Sequence, residues 1–140
     1  MFIVKTGVFK LEIKRIKTFD SNELKELFSS VSWKSAATPK KLVEAFKNSS
    51  NVVSAWEGNR LVGIVRSMDD GCWSANIDCL VVHKDFQGKG IAKQLMTELL
   101  NDLNNIEYIN ICPDEKEMEK FYSEFGFKVV EGYYLQKINS

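Results

Sequence analysis

Apolar and polar positions change rhythm several times along the chain, and the changes mark out its elements. Phe9, Leu11 and Ile13 alternate with Lys10, Glu12 and Lys14, the two-residue period of a half-buried strand. Thr6-Gly7 just before it predicts a tight turn from a short first strand over residues 2–5. From Asp20 the period lengthens: Leu24, Leu27, Phe28 and Val31 fall on one helical face, and Asp20 with Glu23 forms a capping box at its start. Thr38-Pro39 predicts a second helix start, with Pro at the first helical position and Leu42, Val43 and Phe46 as its stripe. Beyond Asn48-Ser49-Ser50-Asn51 the pattern is β: strands over 52–56, 61–68 and 73–83, joined by turns at Glu57-Gly58-Asn59 and Asp69-Asp70-Gly71. The break Gln87-Gly88-Lys89-Gly90 opens a helix with the stripe Ile91, Leu95, Met96, Leu99 and Leu103. A buried-type strand over 106–112 follows, then an acidic helix over 114–124 closed by Gly126, and two short strands split near Gly132. This is a mixed α/β order, a β-meander in front of a β-loop-α-β unit.

Composition narrows what such a fold could do. At 140 residues and with no Pro/Gly/Ser-rich linker or repeat, a single domain over 1–140 is expected. Lys+Arg and Asp+Glu both number 19, which argues against a general nucleic-acid binder. The neutral total conceals a division: residues 1–70 hold 12 basic and 8 acidic side chains, residues 71–140 hold 7 and 11. Cys72, Cys79 and Cys112 are odd in number and widely spaced, so free thiols and a reducing, cytoplasmic setting are expected. No apolar run approaches the roughly 20 residues of a membrane span, and the first residues lack a signal-peptide layout. One His and scattered Cys predict no metal site.

The chemistry concentrates in the stretch from Leu80 to Leu95, where a strand runs into a loop of two glycines and a helix begins at once. Glycines let backbone N–H groups approach an anion, and a helix N-terminus adds unpaired donors and a favourable dipole. A phosphate or pyrophosphate site competes here with a plain helix-entry turn. The pattern is neither a P-loop, since GxxxxGK[ST] is absent, nor a dinucleotide fingerprint, since the glycine spacing differs.

Gln87-Gly88-Lys89-Gly90-Ile91-Ala92 matches the Q/R-x-x-G-x-G/A motif of the GNAT superfamily of N-acetyltransferases, and Phe121-Tyr122-Ser123-Glu124-Phe125-Gly126-Phe127 matches its FYxxxGF signature. The order of elements over residues 9–138 also resembles that family. The resemblance implies a central mixed sheet of six to seven strands with one splayed pair, flanked by about four helices. It implies acetyl-CoA as co-substrate, its pyrophosphate on the amides of Gly88, Lys89, Gly90, Ile91, Ala92 and Lys93, with Gln87 in the motif. Its pantetheine arm would pair with the strand Leu80-Val81-Val82, and Lys89 and Lys93 would add charge.

By the same resemblance Tyr122 takes the place of the general acid that protonates the departing thiolate. A Tyr of ordinary pKa near 10 keeps its proton at neutral pH and suits that role. Many members carry an Asn six or seven residues before this Tyr; here Glu115 and Lys116 stand there. Asp78 is the candidate base, on the argument that strand alternation points it the same way as Leu80 and Val82; an Asp fixed at a strand irregularity is the competing reading. His83 is read as structural or solvated.

The acceptor is less defined. Phe28 and Trp33 are candidate acceptor-lining aromatics, and Asp114, Glu115, Glu117, Glu119 and Glu124 would favour a cationic amine. Short patches, among them Val31-Ser32-Trp33 and Ile77-Asp78, resemble the plastid and bacterial arylalkylamine (serotonin-type) acetyltransferases. The expected reaction is direct attack of a primary amine on acetyl-CoA in a ternary complex, with a small-molecule amine favoured. A protein or peptide acceptor and a non-catalytic acyl-CoA sensor are the alternatives, and a homodimer is compatible with the resemblance.

Overall fold

A computed structural model describes residues 2–6, 9–132 and 134–139. Six strands form one sheet in sequence order: β1 (Phe2–Thr6), β2 (Phe9–Lys14), β3 (Asn51–Glu57), β4 (Arg60–Asp69), β5 (Ser74–Val82) and β6 (Tyr108–Ile111). The first five are antiparallel neighbours; short turns join β3 to β4 and β4 to β5, while the chain between β2 and β3 carries two helices. β6 lies parallel to β5 because helix α3 (Ile91–Asp102) carries the chain back across one face. The turn expected at Thr6-Gly7 falls on Gly7 and Val8, outside the described residues.

Helices α1 (Ser21–Ser30) and α2 (Pro39–Lys47) cover the other face, and α4 (Met118–Ser123) follows β6. The capping box at α1 is present: the Asp20 carboxylate accepts from the Asn22 amide at 2.7 Å and the Asp20 amide donates to Glu23 at 3.1 Å. Thr38 occupies the cap of α2, yet its hydroxyl donates back to the Ser35 carbonyl at 3.3 Å instead of capping. A 3-10 turn over Lys34–Ala37 precedes it and claims that side chain.

Sheet alternation divides the interior into two cores. Leu11, Ile13, Val53, Ala55, Val62, Val65, Ala75 and Ile77 meet Ile91, Leu95, Met96 and Leu99 of α3, with Tyr122 at the margin. Val52, Trp56, Leu61, Ile64 and Val81 face the opposite way, onto Leu24, Leu27 and Phe28 of α1 and Leu42 and Phe46 of α2. Gly63 lies directly under the start of α3: a Cβ there would lie 3.0 Å from Leu95 Cδ1 and 3.1 Å from Ile91 Cγ2.

Three sequence expectations change. The acidic helix expected over 114–124 is shortened to α4, because 3-10-type turns over Glu115–Glu119 bring the chain into it after Pro113. The strand expected over 106–112 is trimmed to Tyr108–Ile111. Neither terminal strand forms: described residues beyond Phe127 lie in no strand, and their apolar side chains are exposed. An apolar pattern makes a strand only where an edge pairs with it.

Candidate active site

The site forms where β5 leaves its neighbours. Pairing with β6 ends at Ile77 opposite Ile111, while β5 runs on to Val82, so the two strands part. On its other side the β4 register shifts between Ile64 and Arg66, leaving Cys79 and Leu80 of β5 opposite Val65 alone. Cys79 has φ +57, an uncommon conformation for a non-glycine residue, and the extra residue is a β-bulge. A bulge frees backbone groups from the ladder and redirects the strand.

Redirection has a consequence for Asp78. Ala75 and Ile77 point into the α3 core, but past the bulge Leu80 and Val82 pack there and Val81 points into the other core. Strand alternation is inverted across Cys79, so Asp78 does not share the face of Leu80 and Val82. Asp78 reaches the site differently: Arg66 grips it with Nε at 2.6 Å and Nη2 at 3.2 Å, and the same guanidinium reaches the Ala45 carbonyl and Ser49 through Nη1. The structure thus joins the carboxylate to the end of α2.

Two adjoining cavities open at the parted strands. The larger, about 590 Å³, runs along Leu80-Val81-Val82 to Gln87, Gly88, Gly90, Ile91, Ala92 and Lys93. The smaller, about 210 Å³, is lined by Trp33, Asp78, Cys79, Leu80, Ile111, Cys112, Asp114 and Tyr122. Trp33, Leu80, Asp114 and Tyr122 border both.

The glycine loop leaves its backbone open to the larger cavity. Gly88 and Gly90 have φ +77 and +81, and a Cβ at either would meet nothing, so the backbone lies open. Gly90 caps α3 without a side chain, and the Gln94 N–H donates to the Gly90 carbonyl at 3.1 Å as the helix begins. Ile91, Ala92 and Lys93 therefore precede the first amide that the helix itself can satisfy. Gln87 Nε2 donates to the Val82 carbonyl at 3.1 Å, tying the loop to β5. His83 is structural: its buried ring accepts the Asp85 amide on Nδ1 at 3.1 Å and sets the 3-10 turn (Lys84–Phe86) that leads into the loop. Lys93 lines the larger cavity and Lys89 does not.

Tyr122 is buried, with its backbone carbonyl taken by the Phe127 amide at 3.3 Å. Burial, and secondarily the charge of Asp114, push its hydroxyl up to about 12. Cys79 is pushed up to about 12 by burial first and Asp78 second, so it is a neutral thiol at physiological pH. Phe28 is wholly buried in the α1–α2 core and supports Trp33 edge-on, with ring centroids 5.5 Å apart. Of the two aromatics, only Trp33 reaches a cavity.

This arrangement matches known proteins across nearly the whole chain. A family model described as "Acetyltransferase (GNAT) domain" matches residues 17–137. The chain belongs to the GNAT family of N-acetyltransferases. It is 33% identical over 137 residues to the "Uncharacterized N-acetyltransferase ycf52" of Porphyra purpurea, covering 91% of this chain and 78% of that protein. It is 32% identical over 122 residues to the "Histone acetyltransferase TAP1" of Glycine max, covering 78% of this chain and 52% of that protein. A GNAT family acetyltransferase of Streptococcus pneumoniae TIGR4 shares the fold with a TM-score of 0.79 at 23% identity, over 92% of this chain and 98% of that one.

As a GNAT acetyltransferase, the chain has residues that suit acetyl-CoA. The open-backbone glycine loop, the helix start and Lys93 meet the demand of a pyrophosphate, and the longer cavity continues from them to Leu80. Gly88, Gly90 and Tyr122 stand where sequence motifs place them. Asp114, Glu115, Cys112 and Met118 also border the cavities but belong to neither motif. Asp114 and Glu115 are among the acidic residues expected on the acceptor side, whereas the signal for Cys112 is its place just after β6, at the end of the parallel β5–β6 pair. Among the described residues no cluster could hold a metal ion and no helix is long and apolar enough to cross a membrane.

Proposed function

We propose that the protein transfers the acetyl group of acetyl-CoA to a small cationic primary amine by direct attack within a ternary complex. The observation that carries this reading is the position of Tyr122, on the border between the phosphate-suited cavity and a separate small one. At about 210 Å³ the small cavity lies below the roughly 300–1,000 Å³ of ordinary ligand pockets, which supports a compact acceptor. Its carboxylates, Asp78 and Asp114, attract an ammonium, and Trp33 offers an aromatic surface to the same cation.

Acetyl-CoA supplies a thioester-activated acetyl group. Backbone amides of Gly88, Gly90, Ile91, Ala92 and Lys93 hold the pyrophosphate, with the Lys93 ammonium adding charge. Leu80 and Val82 guide the pantetheine arm, and a backbone N–H released at the bulge polarises the acetyl carbonyl, a class of donor worth about 3–4 kcal/mol. The incoming ammonium must lose a proton before nitrogen can attack. Both Asp78 oxygens already accept from Arg66, leaving Asp114 the less encumbered carboxylate for that proton. Tyr122 keeps its own proton until the carbon–sulfur bond breaks and then donates it to sulfur. The second proton that nitrogen sheds as the amide forms returns to the tyrosinate, while Asp114 passes the first to solvent. The neutral Cys79 thiol favours direct attack over an acyl-enzyme.

A protein amine is the second reading, supported by the likeness to the relative named a histone acetyltransferase. The test is thiol release from acetyl-CoA across a panel of small amines and basic peptides, on wild type and Tyr122→Phe. Small amines should turn over, and Tyr122→Phe should lower kcat by about 10²–10⁴-fold, the span of general acid–base catalysis. Turnover confined to peptides would overturn the acceptor assignment, and an undiminished Tyr122→Phe rate would remove Tyr122 from proton transfer.

A further inference from the structure

The smaller cavity holds two thiols that direct acetyl transfer does not use. Cys79 stands at the bulge of β5 and packs against the α1–α2 core, while Cys112 directly follows β6 and is exposed. Both line the space of about 210 Å³ beside Tyr122. Backbone geometry brings them there together. Ile77 meets Ile111 in the last parallel pair, and both pack toward α3. Alternation turns Cys112, one residue on, to the opposite face. On β5, alternation alone would return Cys79 to the α3 side, and the bulge is what keeps it on the α1–α2 side with Cys112. Paired strands lie about 4.8 Å apart, and these two residues stand within two steps of the last pair. A disulfide closes over that range, with Cα atoms about 4.4–6.8 Å apart. Cys72, the third thiol, lies before the other end of β5 and lines neither cavity.

We propose that Cys79 and Cys112 form a redox-modification site, closing a reversible disulfide across the smaller cavity by exchange with a small disulfide such as oxidised glutathione. Two thiol–disulfide exchanges suffice. Exposed Cys112 attacks first: its sulfur bonds to one sulfur of the small disulfide, that S–S bond breaks, and one thiol leaves. Cys79 then attacks the Cys112 sulfur, forming the protein disulfide and expelling the second thiol. The two cysteines are oxidised, the small disulfide is reduced to two thiols, and these take up both protons. Burial keeps Cys79 protonated and slow toward reagents in solution, so it acts on the sulfur held beside it. The functional consequence rests on the small cavity being the amine's site: the bond crosses the space the amine needs and ties β5 to β6 where they part. The larger cavity, from Leu80 along to Lys93, stays open to the cofactor.

The test treats the reduced full chain with oxidised glutathione, alkylates the remaining thiols, and reads intact mass and peptide maps. Wild type and Cys72→Ser should both carry the Cys79–Cys112 link. Cys79→Ser should instead retain one glutathione on Cys112, because the resolving thiol is gone, and Cys112→Ser should form no link. Acetyl transfer by the linked chain, assayed after desalting, should fall about tenfold or more as the amine loses its place beside the thioester. Dithiothreitol should restore it, and the melting shift with acetyl-CoA should persist in the linked form. Wild type that keeps glutathione on Cys112, or keeps both cavity thiols free for alkylation, overturns the inference. A linked chain with undiminished transfer also overturns it. Loss of the acetyl-CoA shift from the reduced chain would strike the acetyl-transfer reading instead, and the peptide map would still decide the disulfide.

Discussion

Gly63→Ala tests how the sheet sets the position of the glycine loop. The new methyl carbon would stand 3.0 Å from Leu95 Cδ1 and 3.1 Å from Ile91 Cγ2, where comfortable carbon contacts lie at about 3.5–4.0 Å. Relief requires displacements of about half an ångström, and neither neighbour has empty space to enter: Leu95 is 0% and Ile91 2% exposed. Either the two side chains leave their rotamers or the first turns of α3 rise from the sheet. Overpacking of this kind costs about 1–3 kcal/mol. Ile91 is the first residue of α3, so the strain falls on the turn whose amides face the phosphate-suited cavity. Urea unfolding should show the loss as a lower midpoint with an unchanged slope, and calorimetry should show weaker acetyl-CoA binding. Leu95→Ala alone should cost about 2–5 kcal/mol as a cavity. Combined with Gly63→Ala it should cost less than the sum, because the added methyl enters the vacated volume. A neutral Gly63→Ala, or strict additivity in the pair, would refute the account of Gly63 as the contact that seats α3.

Two further predictions concern pH. Folding holds Tyr122 at about 12 against an ordinary value near 10, so below pH 10 its proton is bound in folded and unfolded chains alike. Between pH 10 and 12 the unfolded chain ionises first, and stability should fall with rising pH by up to about 2–3 kcal/mol; denaturation of Tyr122→Phe should lack that component, and identical slopes would refute it. Asp70 behaves in the opposite sense. Its Oδ1 accepts from the amides of Cys72, Trp73 and Ser74 at 2.7–3.2 Å, which holds it down at about 2. The β4–β5 turn is therefore supported above pH 4 and should loosen as pH falls toward 2, seen as faster amide exchange at those three residues; Asp70→Asn should exchange fast throughout.

How much of this was legible beforehand depended on the range of the interactions involved. The α1 capping box, the meander and the start of α3 follow from neighbours in sequence. Asp20 and Glu23 lie three apart, and Gly90 must adopt φ +81 before a helix can begin. Tyr122 was legible for another reason, as its motif is contiguous. The bulge was not. Nothing in Ile77-Asp78-Cys79-Leu80 announces that Cys79 turns to φ +57, because the deviation is imposed by where β4 ends its register and β6 parts from β5. Simple alternation therefore put Asp78 on the wrong face. Phe28 and Trp33 were indistinguishable as sequence, and burial separates them into core support and site wall.

Local chemistry in the sequence thus determined that this protein has a sheet, a glycine loop that opens a helix and a tyrosine following it. It also divided the charge, with the acidic half carrying the chain around Tyr122. Tertiary structure decided what those parts do together. It parted β5 from β6, opened one cavity on each side of Tyr122, and bound Asp78 to Arg66. It also left the apolar terminal segment without a strand to join. A helix cap or a glycine turn is satisfied within a few residues of chain. A cavity wall, a register shift or a strand edge exists only when segments far apart in sequence pack, and their packing is set by the volume and burial of the whole core.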